Sequence, residues 1–128
     1  MTHAFADGEL VTVYVTAESE DVATHIATSL VRDGLIACAN VNTGTRSVYK
    51  WDGLLQLDNE VTVFMKTSRA KMPAVIERIE KMHSYETPCI TVSPIIGGSQ
   101  PYLEWVAKSV EGDPVPLDDG SDPMSELD

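Results

Sequence analysis

The stretch from Leu35 to Thr67 reads LIACANVNTGTRSVYKWDGLLQLDNEVTVFMKT, with an apolar, β-branched run at each end and an aromatic segment in the middle. The dipeptide Asp52-Gly53 separates the two halves. Both central positions of a type I′ turn need a positive φ, which aspartate and glycine tolerate, so this dipeptide predicts a tight turn. The stretch therefore predicts a long antiparallel hairpin that projects from the rest of the domain.

Apolar side chains crowd the tip of this hairpin, where the core of a small domain does not reach. Exposed aromatic strands promote aggregation unless another surface covers them. We expect the covering surface to be a second copy of the same chain, so the predicted partner is the protein itself. The side chains concerned are Val48, Tyr49, Trp51 and one of Leu54 and Leu55.

The segments on either side of the hairpin alternate between strand and helix patterns. β-branched alternation predicts strands, and apolar residues repeating every three or four positions predict amphipathic helices. The predicted elements are a strand at 10–16, a helix at 20–33, a helix at 70–82, a strand at 89–96 and a helix ending near residue 111. The order β-α-β-β-α-β-α predicts an α+β, ferredoxin-like split βαβ sandwich with an added C-terminal helix. In that fold both crossover helices cover one face of the sheet and leave the other for a partner.

A length of 128 residues predicts one domain, which we place at residues 10–111 after a short lead at residues 1–9. Residues 112–128 hold six acidic side chains and no lysine or arginine. This segment cannot bury enough apolar surface to offset the entropy of ordering it, so it is predicted to be a disordered tail.

The net charge of −11 limits the classes of partner. An acidic surface repels phosphate backbones and anionic lipid heads, so we expect neither nucleic acid nor membrane as a partner. No apolar run approaches the roughly 20 residues of a membrane span, and residues 1–8 lack the pattern of a signal peptide. We therefore expect a cytoplasmic protein in which Cys38 and Cys89 are reduced thiols.

Several separated motifs carry a resemblance to a known family. They are ACAN at 37–40, SVYKWDG at 47–53, DNEV at 58–61, HSYETP at 83–88 and YLEW at 102–105. In this order and spacing they resemble the CutA divalent-cation tolerance proteins over roughly residues 10–110. The resemblance implies a ferredoxin-like subunit in a tight homotrimer, similar in build to the PII signalling proteins. It also implies a link to copper and other divalent cations, and no established enzymatic activity.

The sequence departs from the family pattern at several positions. Ser84 stands where many members have proline, and Cys89 stands where glutamate often follows the proline of HSYETP. Some bacterial relatives carry a cysteine at the end of the first strand and paired histidines before the tyrosine as proposed copper ligands. The matching positions here hold Val15, Met82 and His83, so one of those three ligands remains.

The residues suited to a metal are His83, Cys38 and Glu86, with Cys89 and Met82 as further sulfur donors. Thiolate selects Cu(I), and imidazole suits copper and zinc, so the one cofactor that these residues suggest is a metal ion, with divalent copper or zinc as the predicted candidates. Alternatively, His83 ends the second helix and interacts with its last carbonyls, and Cys38 is a small buried hydrophobe on a strand. No His-x₃-His or Cys-x₂-Cys spacing indicates a preformed cage.

A second set of residues is predicted to line an inter-subunit cleft or interface. Amphipathic aromatic residues are enriched at such surfaces. Lys66, with Glu60 opposite it, is predicted to line a polar cleft, and the alternative is that Lys66 is a solvated surface group. The set comprises Tyr49, Trp51, Glu60, Lys66, Tyr85 and Trp105.

These observations favour a non-catalytic homotrimer that acts in the response to divalent metal ions. The alternative is a PII-like regulatory module that binds a small ligand or a protein in its inter-subunit clefts. Acid, base and nucleophile types are present at His83, Glu86 and Cys38. However, the chain lacks GxSxG, P-loop, GxGxxG and HExxH signatures, so we predict that it is not an enzyme.

Overall fold

The computed structural model describes residues 9–111, and its elements follow the predicted order. Residues 1–8 of the predicted lead at 1–9 and the predicted disordered tail at residues 112–128 lie outside the described residues. The α+β class is confirmed, with four strands and three helices within the described chain. The elements are β1 (Leu10–Ala17), α1 (Glu20–Arg32), β2 (Cys38–Trp51), β3 (Leu54–Ser68), α2 (Met72–Met82), β4 (Ile90–Pro94) and α3 (Gln100–Ser109).

The four strands form one antiparallel sheet in the order β2-β3-β1-β4. β1 lies between β3 and β4, so β2 and β4 are the edge strands. Pro94 is the last residue of β4, which suits a residue that cannot donate a ladder hydrogen bond. β4 is three residues shorter than the predicted strand, because Cys89 remains in the preceding loop and pairing with β1 stops at Pro94.

The hairpin forms as predicted, and its turn sits at Asp52-Gly53. Both residues have positive φ, 52° and 78°, as a type I′ turn requires. Pairing runs from Trp51 opposite Leu54 down to Cys38 opposite Lys66. A register shift between Asn42 and Thr45, which the sequence analysis did not predict, divides the hairpin in two. We call residues 45–60, beyond this shift, the ribbon.

The main core lies between the sheet and the two crossover helices. Leu30 on α1 and Ile79 on α2 are fully buried against the odd-numbered residues of β1. A second, smaller cluster joins α3 to Leu10. Because neighbouring residues of a strand point to opposite faces, α3 covers part of the face that the crossover helices leave open. A partner was expected to cover this face. That expectation is corrected for the part of the face that α3 covers. Among residues 9–111, no helix is long and apolar enough to span a membrane.

Asp33, the residue after α1, ties the two crossover helices together. Its carboxylate accepts a hydrogen bond from Arg78 of α2 at 2.5 Å and one from Arg32 at 3.3 Å. The Arg78 guanidinium, followed by that of Arg32, lowers the pKa of Asp33. A carboxyl whose pKa is depressed by folding stabilises the fold above its unfolded pKa, and this contribution disappears as the pH falls through the folded value.

Replacing Asp33 with asparagine is therefore expected to lower stability at neutral pH. The difference from wild type should shrink as the pH falls below about 4, the ordinary pKa of aspartate, and vanish in stronger acid. Urea unfolding at several pH values measures it. Glu77→Gln is the control, because the ion pair of Glu77 with Lys81, at 3.5 Å, is exposed to solvent and its loss should cost little stability. A loss for Asp33→Asn that is the same at every pH would contradict the ion-pair explanation.

Candidate functional site

A groove of about 610 Å³ opens between the ribbon and the loop that joins α2 to β4. β1 contributes its end at Thr16, and the ribbon contributes side chains from both of its strands. The loop closes the opposite side. The lining residues are Thr16, Tyr49, Trp51, Asp58, Glu60, Tyr85, Glu86, Thr87, Pro88 and Cys89. We call this space the groove.

Strand alternation places the ribbon residues on the groove side. Pairing sets Tyr49 opposite Gln56 and Ser47 opposite Asp58, so Tyr49, Trp51, Asp58 and Glu60 share one face. The Tyr49 hydroxyl donates a hydrogen bond to the Asp58 carboxylate. This bond is the main reason that the pKa of Tyr49 is raised. The phenol therefore keeps its proton for this hydrogen bond.

Tyr85 connects the loop to the ribbon. Its hydroxyl donates a 2.8 Å hydrogen bond to Glu60 Oε2. Burial of the ring, followed by the bond to Glu60, raises the pKa of Tyr85 well above its ordinary value. The groove thus has two matched pairs, each with a tyrosine hydroxyl donating to a carboxylate.

His83 fixes the start of the loop. It is the C-cap of α2, and its Nε2 donates to the Thr16 carbonyl at 2.7 Å. Its Nδ1 accepts the Tyr85 backbone N–H at 3.0 Å, and the two rings lie 4.7 Å apart. These partners assign a neutral ring with its proton on Nε2. His83 does end the helix, as one alternative had it, and its backbone N–H donates to the Ile79 carbonyl at 2.8 Å. Its side chain bonds to the end of β1 and not to the helix. Metal ligation by His83 stays a prediction, and it would require the ring to give up one bond.

His83→Ala is expected to lower the free energy of unfolding by about 1–3 kcal/mol, because it leaves the Thr16 carbonyl and the Tyr85 amide without these partners. Chemical denaturation measures the change. His25→Ala is the matched control, since His25 is exposed on α1 and should change stability by less than about 0.5 kcal/mol. Equal stability of the two variants would show that the bonds of His83 contribute nothing.

The other predicted residues lie at the opposite end of the sheet. Cys38 Sγ is 3.3 Å from the Tyr102 hydroxyl, and Cys38 pairs with Lys66 across the hairpin. Trp105 packs beside Tyr102, with 5.7 Å between ring centroids. Lys66 pairs with Thr12 of β1, four residues before Thr16, which corresponds to about 13 Å along the strand. Cys38 is half-buried and is not the fully buried hydrophobe of the alternative interpretation.

The predicted metal trio is therefore not assembled within one chain. Among residues 9–111, no group of three or more His, Cys, Asp or Glu side chains is arranged to hold a metal ion. Val15 is fully buried and Met82 packs against the core, so two of the positions matching proposed copper ligands have structural roles here. Glu60 and Lys66 lie on one strand six residues apart, about 20 Å, and do not face each other across a single cleft of this chain.

The structure brings together five of the predicted residues and adds others that the sequence analysis missed. Asp58 is the main addition, and Cys89, which the sequence suggested only as a further sulfur donor, also lines the groove. The spacing of Asp58 and Glu60, two residues apart on a strand, was a signal that both face the same side. The place of Cys89 in the groove could not be predicted, because it depends on how the loop folds back. The predicted residues in the groove or at its wall are Tyr49, Trp51, Glu60, Tyr85 and Glu86, with His83 behind them.

Comparison with known proteins gives consistent matches. Residues 11–109 match the family model of the CutA1 divalent ion tolerance protein. The chain is 37% identical over 97 residues to the divalent-cation tolerance protein CutA of Thermus thermophilus, an alignment that covers 76% of this chain and 94% of that one. It is 36% identical over 99 residues to the chloroplastic protein CutA of Arabidopsis thaliana, covering 77% of this chain and 54% of the plant protein, so the similarity spans about half of the plant relative.

The fold is likewise similar to solved structures of these proteins. The crystal structure of CutA1 from the psychrotrophic bacterium Shewanella sp. SIB1 superposes with a TM-score of 0.80 at 33% identity. The superposition covers 84% of this chain and all of the Shewanella chain. The match therefore extends to the whole arrangement of sheet and helices.

Proposed function

The chain belongs to the CutA1 divalent ion tolerance protein family, and on that premise we propose that it is a non-catalytic, cytoplasmic homotrimer acting in tolerance of divalent cations, copper among them. The observation that carries the proposal is the family match over residues 11–109, almost the entire described chain. The family names describe tolerance and not catalysis.

The ferredoxin-like description rests on the order of the strands. α1 links β1 to β2, and α2 links β3 to β4. In each case one other strand lies between the two that are linked, which is the split βαβ arrangement.

The trimer is supported first by the apolar surface of the ribbon. Val48, Leu55 and Leu57 lie on the face opposite the groove and are 61%, 72% and 54% exposed. Trp51 on the groove face is 58% exposed. Apolar side chains clustered in this way mark a surface that another protein covers.

The charges of the ribbon favour a ring over a two-fold dimer. Arg46 and Lys50 share the apolar face, whereas Asp58 and Glu60 share the groove face. A two-fold dimer would bring identical faces together, but head-to-tail contacts bring the basic face of one copy against the acidic face of the next. Repeated head-to-tail contacts close into a cyclic assembly, of which a trimer is an example. The free outer edges of β2 and β4 suit the same arrangement.

The role in tolerance is tested in cells of the source organism. Deletion of the gene is expected to reduce growth in excess copper or zinc, while growth without added metal stays the same. The wild-type gene should restore tolerance, and a gene carrying Trp51→Glu should not, because the role is assigned to the assembled protein. If the deletion strain tolerates both metals as well as its parent, the proposed function is wrong.

Metal binding by the protein itself is tested by titration. We expect metal-free, full-length protein to bind Cu(II) and Zn(II) only weakly, because residues 9–111 hold no three-ligand cluster and both nitrogens of His83 are engaged. His83→Ala should bind each metal like the wild type. Tight binding of one metal per subunit that His83→Ala abolishes would instead make direct chelation the basis of tolerance.

The alternative PII-like regulatory role has one observation in its favour. The groove volume lies within the range of small-molecule sites. Its carboxylates do not suit an anion, so a small ligand held in the groove would be neutral or cationic, while a protein partner in an inter-subunit cleft stays open. A melting temperature that rises with metabolites and not with metals would favour it.

A further inference from the structure

The end of β3 and the turn that leads to α2 form a basic segment in an acidic chain. Three of the nine lysine and arginine residues lie within residues 66–71, namely Lys66, Arg69 and Lys71. No aspartate or glutamate occurs between Glu60 and Glu77. In a chain with a net charge of −11, this segment has a local positive potential that attracts carboxylates. We call residues 66–71 the basic turn.

The charges of the basic turn are not used by the fold. Arg69 is exposed and Lys71 is half-buried. Within the part of the chain that the structure describes, the ion pairs join carboxylates to Arg32, Arg78 and Lys81, and none involves the basic turn. The first turn of α2, which begins next to it, has no acidic residue either, so the helix dipole adds to the positive potential.

The proposed assembly leaves the basic turn uncovered. That assembly is held by the ribbon and by the outer edges of β2 and β4, whereas the basic turn follows β3, an interior strand. Lys66 lies opposite Cys38, at the end of the hairpin farthest from its turn. The stretch of β3 between the ribbon and Lys66 is about 20 Å long. A carboxylate can therefore approach the basic turn in the assembled protein.

The acidic residues 112–128 leave the described chain at the same end of the sheet. Val110, which follows α3, is buried in the cluster that contains Leu10. Leu10 lies opposite Ser68 across β1 and β3, and the Arg69 backbone N–H donates to the Glu9 carbonyl at 2.7 Å. The start of β1 thus connects the end of α3 with the basic turn.

Residues 112–128 have the charge and the length to reach the basic turn. They hold six acidic side chains and no lysine or arginine, and four of the six lie within residues 113–122. An extended chain spans about 3.4 Å per residue, so Asp118, seven residues after Glu111, can lie up to about 24 Å from it. Attraction between opposite charges does not require the segment to fold, so it agrees with the predicted disorder.

We propose that residues 113–122 dock on the basic turn of the same chain, with their carboxylates held against Arg69 and Lys71. The occupant is assigned by its opposite charge and by the place where it leaves α3. This contact goes beyond the proposed role in metal tolerance and does not depend on it.

Cross-linking of the full-length protein with a water-soluble carbodiimide tests the proposal. The reagent joins a carboxylate to an amine as an amide and itself takes up the water that is lost. We expect mass spectrometry of the digested protein to find Lys71 joined to an aspartate of residues 113–122. Because the contact is within one chain, the joined protein should still migrate as a single chain under denaturing conditions.

Lys81 is the internal control. It lies at the other end of α2, ten residues or about 15 Å from Lys71, and its side chain is 73% exposed. Random encounters would therefore favour Lys81, whereas docking on the basic turn favours Lys71. The yield at Lys71 should fall several-fold in about 1 M NaCl, where charges are screened beyond about 3 Å.

Two variants test the contribution of Arg69. Arg69→Gln should reduce the yield of links between Lys71 and residues 113–122 by about threefold, the effect of one exposed charge pair. Arg69→Lys keeps the charge and should keep the yield of the wild type. Circular dichroism confirms that both variants are folded.

Any of four outcomes would overturn the proposal. The first two are the absence of links between Lys71 and residues 113–122, and equal yields at Lys71 and Lys81. The third is a yield at Lys71 that neither NaCl nor Arg69→Gln changes. The fourth is that Lys71 is joined only to Glu9 or only to a second chain. None of these outcomes affects the cellular test of metal tolerance, so the two proposals fail separately.

Discussion

Replacing Trp51 with glutamate is expected to separate the assembled protein into single chains. Trp51 sits beside the turn of the hairpin and is 58% exposed in the subunit. In the proposed trimer, its ring is covered by a neighbouring copy, and tryptophan is enriched among the residues that contribute most to the stability of protein interfaces. Loss of such a residue costs about 2 kcal/mol or more at each interface, roughly a 30-fold weakening. The new carboxylate also adds to the charge of Asp58 and Glu60 on the same face.

Light scattering of wild type and variant at equal concentration measures this effect. Val31→Glu is the matched control, because Val31 is 42% exposed but lies on α1, away from the ribbon. It places the same charge on an exposed apolar position and should leave the mass unchanged. Circular dichroism shows whether the Trp51→Glu chain remains folded after it dissociates. An assembled Trp51→Glu protein would show that the ribbon is not the contact.

Leu30→Ala is expected to cost about 3 kcal/mol of unfolding free energy, because it leaves a cavity in a core that cannot fully collapse. Leu30 is on α1 and has no exposed surface, and it packs in the cluster that joins both crossover helices to the sheet. Such a loss is a large part of the stability of a domain of this size.

The next residue of the same helix provides the control. Val31→Ala removes apolar atoms from a partly exposed side chain and should cost less than about 1 kcal/mol. Urea unfolding of both variants gives the difference, and the urea dependence should remain that of the wild type. Similar losses of unfolding free energy for the two substitutions would mean that α1 does not bury Leu30 in the core.

Much of the fold follows from signals that are local in sequence. Asp52-Gly53 has the positive φ values that its composition predicts, and Ser19 caps α1 by accepting the Val22 amide. The start of α2 depends on less local signals. The helix was predicted to begin at residue 70, but it begins at Met72. The Ser68 side chain and backbone hold the Lys71 amide in a turn that delays the helix. The register shift near Gly44 likewise depends on how two distant strands pair, which no short pattern specifies.

The candidate site was predictable only where strand alternation fixes it. Tyr49, Trp51 and Glu60 share a face because the hairpin register places them there, and the turn determines that register. The contact of Tyr85 with Glu60 could not be predicted, since it joins a loop to a strand 25 residues away. Lys66 was assigned to the same cleft as Glu60 from residue type alone. Within one chain, the length of β3 between Glu60 and Lys66 keeps the two side chains in different places.

The central claim is that copies of this chain cover the ribbon, and the molecular mass of the full-length protein tests it most directly. Each chain has a mass of 13.9 kDa. Sedimentation equilibrium over a range of micromolar concentrations is expected to give three times that mass, with no dissociation on dilution. A mass of 13.9 kDa across the same range would contradict the claim, because the apolar ribbon would then remain exposed in solution.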